Sequence, residues 1–185
     1  PSLLNIIASD TLIFQPLDNS DCLLNSLTAG GGSYFVQTGN AQMGTVTVQA
    51  GYTYLEASNI YADGELGDLI FEGSNDLTIF RGQIGNRVST QGDLSISTTG
   101  DLFLTNANLK RGRSGSGRDP NATGNTRIKA HSIYYPEIED EFGPILGASI
   151  ESVIQSGDLN VMAQEEISFK SGSISSRQAN GCGTM

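Results

Sequence analysis

Six stretches of the chain carry the same short phrase, and this internal repeat constrains the fold more than any single residue does. Four copies align by eye: each opens on Gly, passes through two short patches of alternating apolar residues, and closes on an aliphatic residue. They are GTVTVQAGYTYLEASNI from Gly44, GDLIFEGSNDLTIFRGQI from Gly67, GDLSISTTGDLFLTNANL from Gly92 and GDLNVMAQEEISFKSGSI from Gly157. A fixed period in the twenties, filled with strand and turn residues, is typical of a β-solenoid.

The closing aliphatic residues measure the period of the repeat. The spacings are 24, 25, 24, 21 and 20 residues, for the series Ile60, Ile84, Leu109, Ile133, Ile154 and Ile174. Between these positions the apolar residues alternate in short segments, which are separated by Gly, Asn, Ser or Asp. Three strands and three corners per repeat predict an all-β fold, a right-handed parallel β-helix (a β-solenoid) of about five to six rungs with two loop insertions.

The repeat organises most of the chain into one body. We expect residues 44–178 to form the β-helix, residues 1–43 an irregular N-terminal rung or cap, and residues 179–185 a polar C-terminal tail. The phrase weakens between Gly112 and Gly157, where a basic loop at 111–123 and an acidic loop at 135–147 are predicted. Gly124 and Ile133 keep the nine-residue gap that separates Gly and aliphatic elsewhere, so the solenoid is expected to continue beneath both loops.

The alternation also predicts which side chains face the interior. We expect inward positions at Leu69, Leu77, Ile79, Leu94, Ile96, Leu102, Leu104, Leu159 and Ile167. Because successive rungs of a β-helix stack in register, Ile84 and Leu109 should be neighbours across two rungs.

Charge and chain composition narrow the classes of partner. The formal net charge is −10 and the pI is about 4.3, which argues against nucleic acid as a partner because phosphate contacts need a basic surface. No run approaches the ~18 consecutive apolar residues of a membrane-spanning helix, so no span is predicted. The chain starts at Pro1 rather than Met, which indicates a processed product or a piece of a longer protein.

The phrase G-D-L-x-I-x-x-x-G-D-L-x-L-x-x-A-x-L, seen at residues 92–109, resembles the repeats of filamentous-haemagglutinin-like secreted β-helical adhesins and exoproteins. The resemblance covers about two-thirds of the chain. It implies a secreted or surface-displayed rod that serves in adhesion or as a scaffold.

Aspartates recur at two positions of the repeat. Asp68, Asp93 and Asp158 share one register, and Asp76 and Asp101 share another. Stacked carboxylates repel one another unless something neutralises them, and calcium, which takes six to eight oxygen ligands, is the candidate metal. The alternative is turn chemistry, in which an Asp at a Gly-flanked corner accepts hydrogen bonds from nearby N–H groups. The repeat lacks the G-G-x-G-x-D nonapeptide of calcium-binding rolls, so we favour turn chemistry.

An enzyme is the main alternative class, because many β-helices are polysaccharide lyases or glycosidases with paired carboxylates in a cleft. An acidic run and a basic run on the two loops could flank one face: Glu137, Glu139, Asp140 and Glu141, and Lys110, Arg111, Arg113 and Arg118. Such runs are usually solvated, and few long loops are present to build a cleft. We therefore predict no catalytic or cofactor-binding residue. The single histidine, His131, is expected to face outward from a strand.

Two features bear on processing. Asn121-Ala-Thr123 is a glycosylation sequon that matters only in a eukaryotic secretory route. Cys22 and Cys182 lie on either side of the repeats, and five or six rungs would separate them by roughly 25 Å, whereas a disulfide needs Cα atoms within about 7 Å. This favours bonds to other chains, with free thiols and partners outside the chain as open alternatives.

These observations favour an extracellular structural or adhesive protein, a segment of a surface fibre, filament or appendage. Its expected partners are itself or other fibre subunits and surface glycans, and the two loops are its predicted contact surface. The alternatives are a carbohydrate-active β-helix (a polysaccharide lyase, a glycosidase or a glycan-binding module) and a viral or phage fibre segment.

Overall fold

The computed structural model describes residues 2–14, 35–37, 44–56, 58–62, 68–86, 91–111, 123–136, 138–140, 143–145, 147–154 and 157–178. Within these ranges every regular element is a β-strand, which confirms the all-β prediction. The described part of the chain holds no helix long and apolar enough to cross a membrane.

The strands are short and follow one another closely. In chain order they begin with β1 (Ser2–Ile7), β2 (Thr11–Phe14), β3 (Phe35–Gln37), β4 (Gly44–Ala50), β5 (Tyr52–Glu56), β6 (Asn59–Tyr61), β7 (Leu69–Gly73), β8 (Leu77–Phe80), β9 (Gln83–Asn86) and β10 (Leu94–Thr98). They continue with β11 (Leu102–Thr105), β12 (Asn108–Arg111), β13 (Thr126–Ala130), β14 (Ile133–Tyr135), β15 (Ile138–Asp140), β16 (Gly143–Ile145), β17 (Ala148–Ile154), β18 (Leu159–Ala163), β19 (Ile167–Phe169) and β20 (Gly172–Gln178).

The chain enters three parallel sheets in turn, and each sheet has six strands. Sheet A has the order β1-β4-β7-β10-β13-β18, sheet B the order β2-β5-β8-β11-β14-β19, and sheet C the order β3-β6-β9-β12-β17-β20. One pass through sheets A, B and C is called a rung. The strands β1, β2 and β3, from the predicted irregular region 1–43, pair in parallel with β4, β5 and β6. The remaining pair, β15 and β16, forms an antiparallel hairpin within the predicted insertion 135–147.

Interior side chains form ladders with one member from each rung. In sheet A the ladder is Ile6, Val48, Phe71, Ile96, Ile128 and Val161. In sheet C it includes Ile60, Ile84, Leu109, Ile150 and Ile174. The middle members of both ladders are fully buried, and each such side chain contributes about 1.5–3 kcal/mol through burial. The predicted contact between Ile84 and Leu109 is confirmed.

The predicted inward positions are buried in the middle of the solenoid but not at its C-terminal edge. Leu69, Leu77, Ile79, Leu94, Ile96, Leu102 and Leu104 are at most 1% exposed. Leu159 is only partly buried and Ile167 is 38% exposed, although both pair in register with inward residues of the preceding rung. Their strands, β18 and β19, are the last in sheets A and B, so no described strand covers them.

The predicted series of closing aliphatic residues is wrong at two positions. Ile133 lies in sheet B, where it pairs with Leu102 and Ile167, and Ile154 lies at the end of β17. The residue that follows Leu109 in the sheet C ladder is Ile150. The chain takes 15 residues from Arg111 to Thr126 but only 8 between their partners Asn86 and Leu94, so a fixed spacing from Leu109 ends on sheet B. The β15–β16 hairpin then lengthens the rung again before Ile150.

Arg111 is the other correction, because the sequence places it in a solvated basic loop. It is the last residue of β12 and its side chain is fully buried. Its Nε donates to the carbonyl oxygen of Gly92 at 2.6 Å, and a terminal guanidinium nitrogen donates to the carbonyl oxygen of Thr123. The buried cation is therefore satisfied by backbone carbonyl groups at the corners before sheet A in two successive rungs.

Candidate functional site

The first register of aspartates forms a continuous hydrogen-bonded column at the corner before sheet A. Oδ1 of Asp68 accepts the backbone N–H of Asp93 at 2.7 Å, and Oδ1 of Asp93 accepts that of Asn125 at 2.7 Å. Oδ1 of Asn125 in turn accepts the N–H of Asp158 at 3.1 Å. The side chains do fold onto backbone N–H groups, but those groups belong to the next rung rather than to the same turn.

The second register does the same at the corner before sheet B. Oδ1 of Asp76 accepts the N–H of Asp101 at 2.8 Å, and Oδ1 of Asp101 accepts the N–H of Ser132 at 3.1 Å. Gly100 makes room for this arrangement, because a Cβ at that position would lie 2.3 Å from Oδ1 of Asp76. Steric crowding at this corner therefore explains why Gly precedes Asp in the repeat.

Asn125 and Ser132 are members of these columns that the search for aspartates missed. A usable signal was present for Asn125, because Gly124-Asn-Thr-Arg-Ile128 has the pattern of Gly92-Asp-Leu-Ser-Ile96 with Asn in place of Asp. An Asn side chain offers the same Oδ1 acceptor without the charge. The columns are therefore defined by the acceptor atom rather than by the carboxylate.

Asp93 is the most strongly held carboxylate of the columns. Its Oδ2 accepts a hydrogen bond from Arg127 Nη1 at 2.7 Å, in an ion pair on the outer face of sheet A. Partial burial opposes ionisation of this group. The N–H of Asn125 and the guanidinium of Arg127 outweigh that effect, and the pKa of Asp93 is lowered.

The metal hypothesis has little geometric support in this part of the chain. Within the described ranges, no three His, Cys, Asp or Glu side chains lie close enough together to hold a metal ion. The Oδ1 atoms of Asp68, Asp76, Asp93 and Asp101 already accept backbone N–H groups. These four residues are the predicted calcium candidates, and each uses one carboxylate oxygen to accept a backbone N–H of the next rung.

Other predicted features fall at different places. His131 lies at the corner between β13 and β14 rather than in a strand, with Nε2 3.3 Å from the carboxylate of Glu165. Glu139 and Asp140 lie in β15. Asn121, Cys22, Cys182, Glu137, Glu141, Arg113 and Arg118 are outside the described residues.

A column of outward side chains crosses sheet B. It contains Tyr54, Thr78, Phe103, Tyr134 and Ser168, which pair in register from rung to rung. The rings of Phe103 and Tyr134 are stacked, with centroids 5.2 Å apart and planes inclined by 19°. Both side chains are partly exposed, so the stack lies at the surface of the solenoid.

A pocket of about 240 Å³ lies beside this stack. It is lined by Phe103, Tyr134, Tyr135, Pro136, Ser168 and Lys170. Ser168, the position of the column that follows Tyr134, carries a small side chain and lines the pocket together with both rings. The lining of the pocket thus combines aromatic rings with a hydroxyl-bearing residue and an amine-bearing residue.

The C-terminal edge of the described solenoid exposes apolar side chains. Phe169 of β19 is 46% exposed, although one face of its ring stacks on buried Tyr135 with centroids 4.5 Å apart. Burial also raises the pKa of the Tyr135 hydroxyl. Ile167 and Phe169 are interior residues of a rung that no described strand covers.

No family model, no curated protein and no solved structure matches this chain.

Proposed function

We propose that the chain is a segment of an extracellular or cell-surface fibre, filament or appendage with a structural or adhesive role. In this proposal the three sheets form a right-handed parallel β-helix, because nearly all crossovers between parallel strands of one sheet are right-handed. The proposed solenoid has about six rungs, one for each strand of a sheet.

The observation that carries this proposal is the continuation of the interior ladders into the last strands. Ile167 and Phe169 face the interior of their rung, yet they remain 38% and 46% exposed. A terminal strand also presents backbone N–H and C=O groups to which another strand can add. Stacking the first rung of a second copy on this edge would bury these side chains and extend all three sheets.

Such a contact joins two different surfaces of the same protein, and because it continues the sheets along the solenoid axis it generates an open filament rather than a ring. The cysteines fit the same arrangement, because Cys22 precedes the repeats and Cys182 follows them in the sequence. A disulfide between Cys182 of one copy and Cys22 of the next would lock the contact in an oxidising environment.

The proposal is tested by sedimentation velocity and negative-stain electron microscopy of the purified chain. Concentration-dependent filaments about one solenoid wide are expected. Ile167→Lys should suppress them, because it places a charge in the contact. Met162→Lys is the matched control, since Met162 is 52% exposed on the same terminal rung but alternates with the inward residues of β18.

Circular dichroism must show unchanged strand content in both variants. A chain that remains monomeric at every concentration overturns the proposal, as does equal loss of association in the two variants. Non-reducing electrophoresis tests the cysteines: a ladder that collapses with reductant supports the linked fibre, and an internal bond between Cys22 and Cys182 contradicts it.

A further inference from the structure

The pocket beside the Phe103–Tyr134 stack lies at the last described position of the outward column of sheet B. Parallel in-register strands place paired residues on the same face of a sheet, so Tyr134 and Ser168 are successive members of the column. The ring of Phe103 covers one face of Tyr134. Ser168 is too small to stack on Tyr134 in the same way, and it lines the pocket together with both rings.

We propose that this pocket binds one pyranose ring of a neutral glycan, with the apolar C–H face of the sugar on the ring of Tyr134. The proposal deepens the adhesive form of the proposed function by naming a ligand class and a site. The pocket volume of about 240 Å³ suits a single ring rather than a larger ligand.

The two walls of the pocket distinguish a sugar from an aromatic ligand. A flat aromatic group is best held between two apolar surfaces, but the lining of this pocket combines the ring of Tyr134 with the polar residues Ser168 and Lys170. A pyranose has one apolar face and a rim of hydroxyl groups, which matches this asymmetric pocket. Ser168 can donate or accept a hydrogen bond, and Lys170 can donate one to a ring or hydroxyl oxygen.

Overall charge selects a neutral sugar over an acidic one. The chain has a formal net charge of −10, which repels a polyanion at long range. Lys170 contributes a single positive charge to the pocket. A glycan without carboxylate or sulfate groups avoids this repulsion and uses the lysine as a hydrogen-bond donor.

Binding is measured by saturation-transfer difference NMR with β-1,4-linked tetrasaccharides of glucose, xylose, mannose and N-acetylglucosamine as neutral probes. Tetragalacturonate is the acidic probe. At least one neutral probe should bind, more tightly than tetragalacturonate. Tyr134→Ala removes the aromatic wall and should weaken binding about tenfold or more.

Ser168→Phe supplies the third ring and fills the pocket, so it should abolish binding without lowering Tm. The matched controls are Tyr54→Ala and Thr78→Phe, which make the same exchanges at earlier positions of the same column. Both controls should bind as the parent does. Tyr134→Ala provides an independent test if Ser168→Phe fails to fold.

The proposal is overturned if no neutral probe binds at millimolar concentration, if tetragalacturonate binds best, or if Ser168→Phe binds like the parent. The proposal is also overturned if Ser168→Phe alters the sedimentation coefficient but leaves sugar binding unchanged. That result would indicate that a second copy of the chain, rather than a sugar, occupies the pocket. If filaments form but no sugar binds, only the proposal of a sugar-binding pocket is contradicted. If a sugar binds but no filaments form, only the proposal of filament assembly is contradicted.

Discussion

Oδ1 of Asp93 accepts the backbone N–H of Asn125 at 2.7 Å, across the gap between two successive rungs. The same relationship links Asp68 to Asp93, with Asp as the acceptor, and Asn125 to Asp158, with Asn as the acceptor. The corner needs a short side chain with an oxygen at this position, and the charge is secondary. This distinction between acceptor and charge can be measured.

Asp93→Ala should destabilise the fold more than Asp93→Asn does. Alanine leaves the partly buried N–H of Asn125 without its acceptor, at a cost of about 1–2 kcal/mol. Asparagine keeps an Oδ1 acceptor and loses only the pair with Arg127, an exposed ion pair worth at most about 1 kcal/mol. Urea denaturation of the two variants measures the difference, and equal free energies of unfolding would contradict the assignment.

The stability of the parent should fall in acid partly through Asp93. Its pKa in the folded state is lowered from the usual 3.8, so the carboxylate stabilises the fold above that value. This contribution is lost as the pH falls below 3.8 towards the lowered folded-state pKa. Asp93→Asn lacks it, so the stability gap between parent and variant should narrow as the pH is lowered through 3.8. A gap that widens in acid would contradict the lowered pKa.

Calcium is not expected to stabilise the corners. The Oδ1 atoms of Asp68 and Asp93 already accept backbone hydrogen bonds, and binding a cation through them would compete with those bonds. Differential scanning calorimetry with added calcium and with a chelator should give the same Tm. A Tm that rises with calcium and falls with the chelator would restore the metal hypothesis.

Shortening side chains along one interior ladder should show which of them are covered by a neighbouring rung. Leu102 is fully buried between Leu77 and Ile133, whereas Ile167 is the exposed last member of the same ladder. Leu102→Ala should cost about 2–5 kcal/mol, and Ile167→Ala about 1 kcal/mol or less in the monomer. Equal losses in chemical denaturation would show that the terminal rung is covered.

Much of the fold could be predicted because, where the repeat has no insertion, the alternation of apolar residues identifies the inward side chains and the repeat period identifies their partners in the next rung. The pairs Leu69–Leu94 and Ile84–Leu109 follow from copies of equal length. The prediction failed at Ile133 because the nine-residue gaps from Gly51 and Gly100 start at the corner before sheet B, whereas the gap from Gly124 starts at the corner before sheet A. The same spacing therefore ends on sheet B instead of sheet C.

A finer signal would have found the correct closing residue. In the sheet C ladder the closing aliphatic follows a small residue and one polar residue, as in Gly82-Gln-Ile84, Ala107-Asn-Leu109, Ala148-Ser-Ile150 and Gly172-Ser-Ile174. The candidate site could be predicted only in part. The aspartate registers are visible in the sequence, but the pocket depends on Ser168 lying in register with Tyr134 and not with another residue of the last rung.

Arg111 was beyond sequence reasoning for a related reason. Its neighbours Lys110, Gly112 and Arg113 suggest a solvated basic segment. Its burial depends on the carbonyl groups of Gly92 and Thr123, which are brought to it by the closure of the corner. The residues next to Arg111 in the sequence cannot indicate contacts that form only in the folded rung.

The hydrogen bonds of the two corner columns all have the same sense. In each bond between Asp68 and Asp158, and in each between Asp76 and Ser132, the donor belongs to the later rung and the acceptor to the earlier one. Their bond dipoles therefore add along the axis, as peptide dipoles do in an α-helix. The two ends of the molecule are therefore electrostatically different. This dipole favours copies that stack head to tail over copies that meet head to head or tail to tail.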